Sequence, residues 1–222
     1  MKCSVDARAR ALLRLWSLLP IFLVFLGARN QLHAEEGADG GNVVAVEEDW
    51  ELIVKEPDEV TAAPQVTCIL APTTQDSGVY AAFNLNHKSF PQYDAGGLHL
   101  QIWNNDTPLA TAKFSDALLK PANEVITWTV RMSLHEGQVT FEIISGSSST
   151  WGQFGGTGVL KTSVASSLEN LNQYRPEFSV TNSGVGFAGN RVTSLKLKSV
   201  RKLLKSEAVQ EDNNSRTVYP QT

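Results

Sequence analysis

The stretch EVITWTVRMSLHEGQVTFEII, residues 124–144, decides the fold of this chain. Two runs of alternating apolar and polar residues flank the turn residues HEGQ, a pattern typical of an antiparallel β-hairpin with one buried face. In one register every apolar residue faces another, and the pairs are Leu134 with Val139, Met132 with Phe141 and Val130 with Ile143. Sliding either strand by one residue would bury a charged side chain and expose Phe141, so we predict this register.

The polar face of the hairpin supports the same register. A four-residue loop over 135–138 places Ser133 opposite Thr140 and Arg131 opposite Glu142. Opposite charges facing each other across two strands contribute roughly 0.2–1 kcal/mol when exposed. The pattern therefore predicts a cross-strand ion pair between Arg131 and Glu142.

Short β-type runs separated by turn residues continue on both sides of this hairpin. They are WELIVKE, QVTCIL, VYAAFNLN, LHLQIW, LATAKF, EFSVTN, VGFA and VTSLKLKSV. Helical patterns are confined to single turns within SVASSLENLNQY and FSDALLKPANE. Strands of this length and spacing predict an all-β fold, an antiparallel two-sheet sandwich of the jelly-roll type.

The N-terminus carries the pattern of a cleaved signal peptide. Three arginines precede an apolar run over 15–27, and Leu-His-Ala at 32–34 fits a signal peptidase site. The apolar run is shorter than the roughly 20 residues of a membrane span and contains a proline. We therefore predict a signal peptide over 1–34 and no stable membrane insertion after cleavage.

Composition predicts the remaining boundaries. Residues 35–47 are acidic and glycine-rich, which is typical of a flexible linker. The β-type runs place the sandwich domain at 48–203. The polar residues 204–222 are predicted to be a disordered tail.

Charge and cysteine content restrict the partners. Removing the leader takes five basic residues and one acidic residue from totals of 19 and 23, which leaves 14 and 22 and a net charge of −8. An acidic protein repels phosphate backbones, so nucleic acid is excluded as a partner. Cys68 remains alone, which predicts a buried thiol, with a reactive nucleophile or an intermolecular bridge as the alternatives.

The hairpin ITWTVRMSL-HEGQ-VTFEI, followed by GVGFAGNRVTSLKLKSVR at 184–201, resembles the concanavalin A-like lectin/glucanase superfamily. Residues 49–203 are similar to secreted bacterial domains of that fold whose function is unassigned. The resemblance implies a sandwich in which the last strand returns beside the first. It lies in pattern and strand order and includes no catalytic signature, and a fold alone does not determine a function.

The sequence points away from catalysis. Glycosidases on such sandwiches carry carboxylates on alternate residues of one strand, and the nearest candidate pair here is Asp49 with Glu51. That pair lies in an acidic stretch, which we interpret as a solvated edge strand. Glu124 and Glu142 are isolated, and no Gly-x-Ser-x-Gly motif occurs.

Metal-ligand patterns are weak as well. The mature chain has three histidines, His87, His99 and His135, and no HExxH or CxxC motif. We therefore predict no metal or other cofactor. Calcium is the alternative, with oxygen ligands from NNDT at 104–107 and from Asp94.

The segment FNLNHKSFPQYDAGGLHLQIWNND concentrates aromatic and amide side chains, the groups that recognise sugars. If VYAAFNLN and LHLQIW are neighbouring strands, alternation turns one polar set away from the core. This predicted binding set comprises Asn84, Asn86, His99, Gln101 and Trp103. The alternative is that a loop covers Trp103 and that the amides satisfy turns.

We therefore expect a non-catalytic sandwich, secreted, periplasmic or at the cell surface, that binds carbohydrate or another extracellular polymer. One alternative is a polysaccharide hydrolase or lyase with an unrecognised site. Another is a structural envelope or surface protein without a small ligand. An open groove that bears Trp103 favours binding, and two carboxylates roughly 5–9 Å apart in it would favour hydrolysis. The oligomeric state is left open.

Overall fold

The chain forms a sandwich of two antiparallel β-sheets, as predicted. The computed structural model describes residues 41–55, 64–74, 78–85, 96–117, 119 and 123–220. The predicted signal peptide over 1–34 lies outside the described residues. Within them, no helix is both long enough and apolar enough to span a bilayer.

The described residues form thirteen strands and one short α-helix. They are β1 (Val43–Val54), β2 (Gln65–Leu70), β3 (Val79–Leu85), β4 (Leu98–Asn104), β5 (Thr107–Phe114), β6 (Glu124–His135), β7 (Gln138–Ser148), β8 (Gly152–Gln153), β9 (Lys161–Ala165), α1 (Pro176–Asn182), β10 (Gly184–Phe187), β11 (Val192–Leu204), β12 (Val209–Asp212) and β13 (Arg216–Tyr219). A 3₁₀ turn, Gly189–Arg191, precedes β11.

The strands divide into a larger and a smaller sheet. The eight-stranded sheet has the order β12-β11-β1-β6-β7-β8, with β13 also pairing with β11 and β9 with β7. The five-stranded sheet has the order β10-β2-β3-β4-β5. The last long strand, β11, pairs with β1, as the resemblance implies.

The core lies between the two sheets. The ring of Phe83 on β3 packs against that of Trp128 on β6, with centroids 5.6 Å apart. Trp128 in turn stacks on Trp50 of β1. Cys68 is buried in the same core, which confirms the prediction of a buried thiol.

The register predicted for the 124–144 hairpin is confirmed at every pair. The connection is tighter than predicted, because β6 and β7 extend to His135 and Gln138 and leave a two-residue turn. Glu136 and Gly137 both have positive φ, 48° and 72°. This is the type I′ geometry that matches the twist of paired strands.

The predicted ion pair within the hairpin is wrong. Arg131 and Glu142 lie opposite each other, but Arg131 pairs with Glu47 of β1 at 3.3 Å and Glu142 with Lys161 of β9 at 3.3 Å. β6 has β1 as a second neighbour and β7 has β9, and the sequence of the hairpin alone does not show these strands. The charges therefore pair outward, to the flanking strands.

Replacing Glu136 with asparagine should stabilise the protein by about 0.5 kcal/mol, because asparagine tolerates the left-handed conformation better than glutamate. The ion pair that Glu136 forms with His135 is fully exposed and contributes little. Urea denaturation measures the effect. Glu136→Gln removes the same charge but keeps a side chain that disfavours the left-handed conformation. Equal stabilisation by both variants would therefore show that the backbone conformation is not the cause.

The segment EFSVTN, predicted as a strand, is the helix α1. Pro176 starts the helix, where its fixed φ and missing N–H are tolerated. Ser179 faces inward and donates to the buried carboxyl group of Glu48 at 2.5 Å. Glu48 is distant in the sequence, so the local pattern of EFSVTN could not predict this contact.

Both predicted domain boundaries need correction. The strand β1 begins at Val43, inside the predicted linker, because it is a central strand between β11 and β6. The predicted disordered tail contains β12 and β13, which pair with β11. Val218 of β13 is buried in the core, so the end of the chain completes the larger sheet.

The interpretation of Asp49 and Glu51 as part of an edge strand is also wrong. Both lie in the middle of β1, which has hydrogen-bonded neighbours on each side. Their alternate spacing places the two side chains on one face of the eight-stranded sheet.

Candidate functional site

The four described members of the predicted binding set lie on the outer face of the five-stranded sheet. Asn84 on β3 is directly opposite His99 on β4. Gln101 and Trp103 follow His99 at alternate positions of β4 and so share its face. Asn86 lies outside the described residues.

A row of hydrogen bonds crosses this face. The hydroxyl of Thr67 on β2 donates to Oδ1 of Asn84 at 2.7 Å, and Nδ2 of Asn84 donates to Oε1 of Gln101 at 3.0 Å. The row therefore runs across three strands and sets the orientation of the Gln101 amide. Since its carbonyl oxygen accepts from Asn84, its Nε2 group is turned away from the row as a donor.

Two members of the predicted set are buried rather than open to solvent. Asn84 and His99 are each 3% exposed. Ala82, which shares the outer side of β3 with Asn84, is also buried. Alternation correctly assigned these side chains to the face away from the core, but it does not predict what covers that face.

Gln101 and Trp103 are half-buried and lie toward the accessible end of the face. Tyr80 of β3 is directly opposite Trp103, and Pro108 of β5 is opposite Trp103 on the other side. The hydroxyl of Tyr80 donates to the carbonyl oxygen of Asn105 at 3.2 Å. Tyr80, Trp103 and Pro108 are therefore cross-strand neighbours, and they form an apolar strip next to the amide row.

Tyr80 stays neutral over the physiological pH range. Burial raises the pKa of its hydroxyl, and the nearby charge of Asp106 raises it further. The hydroxyl therefore remains a hydrogen-bond donor and acceptor, as a contact to a sugar hydroxyl requires.

An open pocket of about 330 Å³ adjoins Tyr80, within the size range of small-molecule sites. Tyr80 and Ile69 form one wall, and Phe178 and Asn182 of α1 form another. The sequence analysis missed these residues. Tyr80 could have been found, because it alternates with Asn84, whereas Phe178 was assigned to a strand.

Within the described ranges, no group of three or more His, Cys, Asp or Glu side chains is arranged to hold a metal ion. Residues 104–107, which were considered for calcium, lie at the turn between β4 and β5. Asp94, the other candidate ligand, lies outside the described residues.

No family model matches this chain, and no curated protein matches its sequence. Solved structures that resemble it include peanut lectin with a 9mer peptide, with 12% identity, a TM-score of 0.34, and coverage of 62% of this chain and 63% of the lectin. Basic winged bean lectin with Tn-antigen has 15% identity, a TM-score of 0.29, and coverage of 64% and 60%. A heptameric SAP-like pentraxin from Limulus polyphemus has 9% identity, a TM-score of 0.28, and coverage of 80% and 85%.

This chain spans about three fifths of the length of the two lectins. Similarity at this level carries no argument about a shared ligand or activity. The fold assignment depends instead on the strand pairing and core described above.

Proposed function

We propose that this protein is a secreted, non-catalytic β-sandwich that binds carbohydrate on the outer face of its five-stranded sheet. The observation that carries the proposal is the strip of Tyr80, Trp103 and Pro108 beside the oriented amide of Gln101. A pyranose ring has an apolar face and a rim of hydroxyl groups. An apolar strip with two aromatic side chains next to a fixed amide is complementary to both.

The residues take different parts in this proposal. Trp103 and Tyr80 supply the stacking surface, and Nε2 of Gln101 donates to a sugar hydroxyl. Asn84 is a positioning residue, because it is buried and acts through its hydrogen bond to Gln101. The pocket beside Phe178 gives room for a neighbouring sugar unit, which favours an oligosaccharide over a monosaccharide.

The leader pattern of residues 1–34 supports a location outside the cytoplasm, where polysaccharides are abundant. The sequence resemblance to concanavalin A-like lectins and glucanases supports the sugar class. Kinship with secreted bacterial domains stays a prediction.

We expect Trp103→Ala to weaken carbohydrate binding at least about tenfold, the equivalent of roughly 1.4 kcal/mol. Stability should change little, because Trp103 is only half-buried at the end of the sheet. The measurement is a screen on immobilised polysaccharides, followed by calorimetric titration with a soluble oligosaccharide of the best binder.

Val125→Ala is the matched control, because Val125 is a surface apolar residue on the other sheet, 50% exposed. Gln101→Ala tests the same site without removing an aromatic ring. Unchanged affinity in both the Trp103 and Gln101 variants would contradict the proposal. Release of reducing ends during the incubations would instead support the hydrolase alternative.

A further inference from the structure

A second groove lies on the outer face of the eight-stranded sheet, over β11, β1, β6, β7 and β8. It has a volume of about 460 Å³. Its polar lining includes Glu51, Thr127, Ser145, Ser147, Gln153 and Lys198. The proposed carbohydrate site uses none of these residues.

One side of the groove carries an oriented chain of hydroxyl groups. The Ser145 hydroxyl donates to Oγ1 of Thr129 at 3.0 Å, and the Thr129 hydroxyl donates to Oδ1 of Asp49 at 2.6 Å. Because the Ser145 proton is committed to Thr129, its oxygen lone pairs remain to accept from a ligand.

The carboxylate that anchors this chain is a fixed charge. Both of its oxygens accept hydrogen bonds, from Thr129, Ser199 and Arg201. Although burial alone would raise the pKa of Asp49, the bonds from Arg201, Ser199 and Thr129 hold it below its usual range. Asp49 therefore orients hydroxyl groups and is poorly suited to proton transfer.

The other side of the groove supplies complementary partners. Nε2 of Gln153 donates to Oγ of Ser147 at 3.1 Å. The Ser147 hydroxyl proton and the Gln153 carbonyl oxygen are not used in this bond and can serve a ligand. Lys198 and Glu51 pair loosely at 3.4 Å. Donors and acceptors thus lie close together over an area to which β11, β1, β6, β7 and β8 contribute.

The charges of the groove balance. Three acidic residues on this face are paired with three basic ones, and the two sets are Glu47, Asp49 and Glu51 and Arg131, Arg201 and Lys198. A balanced groove attracts neither a phosphate nor a polycation, and its hydroxyl and amide groups match a ligand rich in hydroxyl groups.

We infer that this groove is a second polysaccharide-binding site, so that one molecule holds two sugar chains on opposite sides of the sandwich. The ligand class rests on the proposed function, whereas the site itself rests on the oriented hydroxyls and the charge balance. The two sheets pack core to core, so their outer faces point in opposite directions. Two sites in this arrangement link separate polymer chains and raise the overall avidity.

The test is calorimetric titration of the purified protein with hexasaccharides from cellulose, chitin, mannan and pectin. We expect two sites per chain for the wild type. Thr127→Trp fills the exposed centre of the groove and should leave one site. Val125→Trp is the matched control, because it lies two residues away on the same strand and face but outside the groove, and it should leave two.

Gln153→Ala provides a second probe that keeps the groove open and should weaken the second site about tenfold. If the wild type has a single site, and Trp103→Ala abolishes it while Thr127→Trp leaves it intact, this inference is overturned and the proposed function is supported. If Thr127→Trp abolishes a single site and Trp103→Ala leaves it intact, the groove is a binding site and the proposed site at Trp103 is overturned. No binding to any hexasaccharide would overturn both.

Discussion

Replacing Trp128 with alanine should lower the free energy of unfolding by about 4 kcal/mol, the cost of removing a large buried aromatic side chain. Trp128 is 2% exposed. Its ring stacks on Trp50 at 6.2 Å and packs against Phe83 of the other sheet at 5.6 Å. The substitution therefore opens a cavity where the two sheets meet. Urea denaturation followed by far-UV circular dichroism measures the loss.

A matched pair of tryptophan variants separates ring packing from hydrogen bonding. Among the residues that the structure describes, Nε1 of Trp128 has no hydrogen-bond partner, whereas Nε1 of Trp50 donates to Glu48 at 2.9 Å. Trp50→Phe should therefore cost about 1–2 kcal/mol more than Trp128→Phe, because it deprives a buried carboxyl group of a donor. Equal costs would show that the Trp50 bond contributes nothing.

The second large effect is a fall in stability as the pH rises from about 4.5 to about 7. Glu48 is fully buried and accepts hydrogen bonds from Trp50, Tyr174 at 2.7 Å and Ser179 at 2.5 Å. Burial raises its pKa from 4.5 to about 7, against the lowering effects of these three bonds and of the Arg216 charge. The folded protein therefore keeps a proton on Glu48 that the unfolded chain releases.

The sign follows from this proton balance. Below pH 4.5 both states hold the proton, and the full contribution of Glu48 to stability is present. Between pH 4.5 and 7 the folded state binds more protons than the unfolded state, so stability falls with rising pH, by on the order of 3 kcal/mol in total. The carboxyls of Asp49 and Asp212 have lowered pKa values and titrate below this window.

Glu48→Gln tests the assignment, because glutamine keeps the shape and an acceptor oxygen but does not titrate. We expect urea unfolding between pH 5 and pH 8 to lose most of its pH dependence in this variant. Glu47→Gln is the matched control, because Glu47 is adjacent to Glu48 on β1 but faces the other side of the sheet. If the free energy of unfolding of Glu48→Gln still falls with rising pH, the effect belongs to another group.

The chemistry of the candidate site was partly predictable. Alternation placed Gln101 and Trp103 on one face, and the structure places them there. The hydrogen bond from Asn84 to Gln101 joins residues 17 apart in the chain. It requires the register between β3 and β4, which the sequence did not specify as strongly as the hairpin register.

The chain by itself determined the features that depend on neighbouring residues. These are the all-β class, the alternation of faces and the register over 124–144, where apolar matching across a tight turn leaves one low-energy pairing. Tertiary structure decided what depends on distant contacts: the central position of β1, the helix at Pro176–Asn182, the ordering of 209–219 and the burial of Asn84 and His99. Period-two patterning tells which side of a strand a residue occupies, but exposure and charge pairing depend on what the rest of the chain brings to that side.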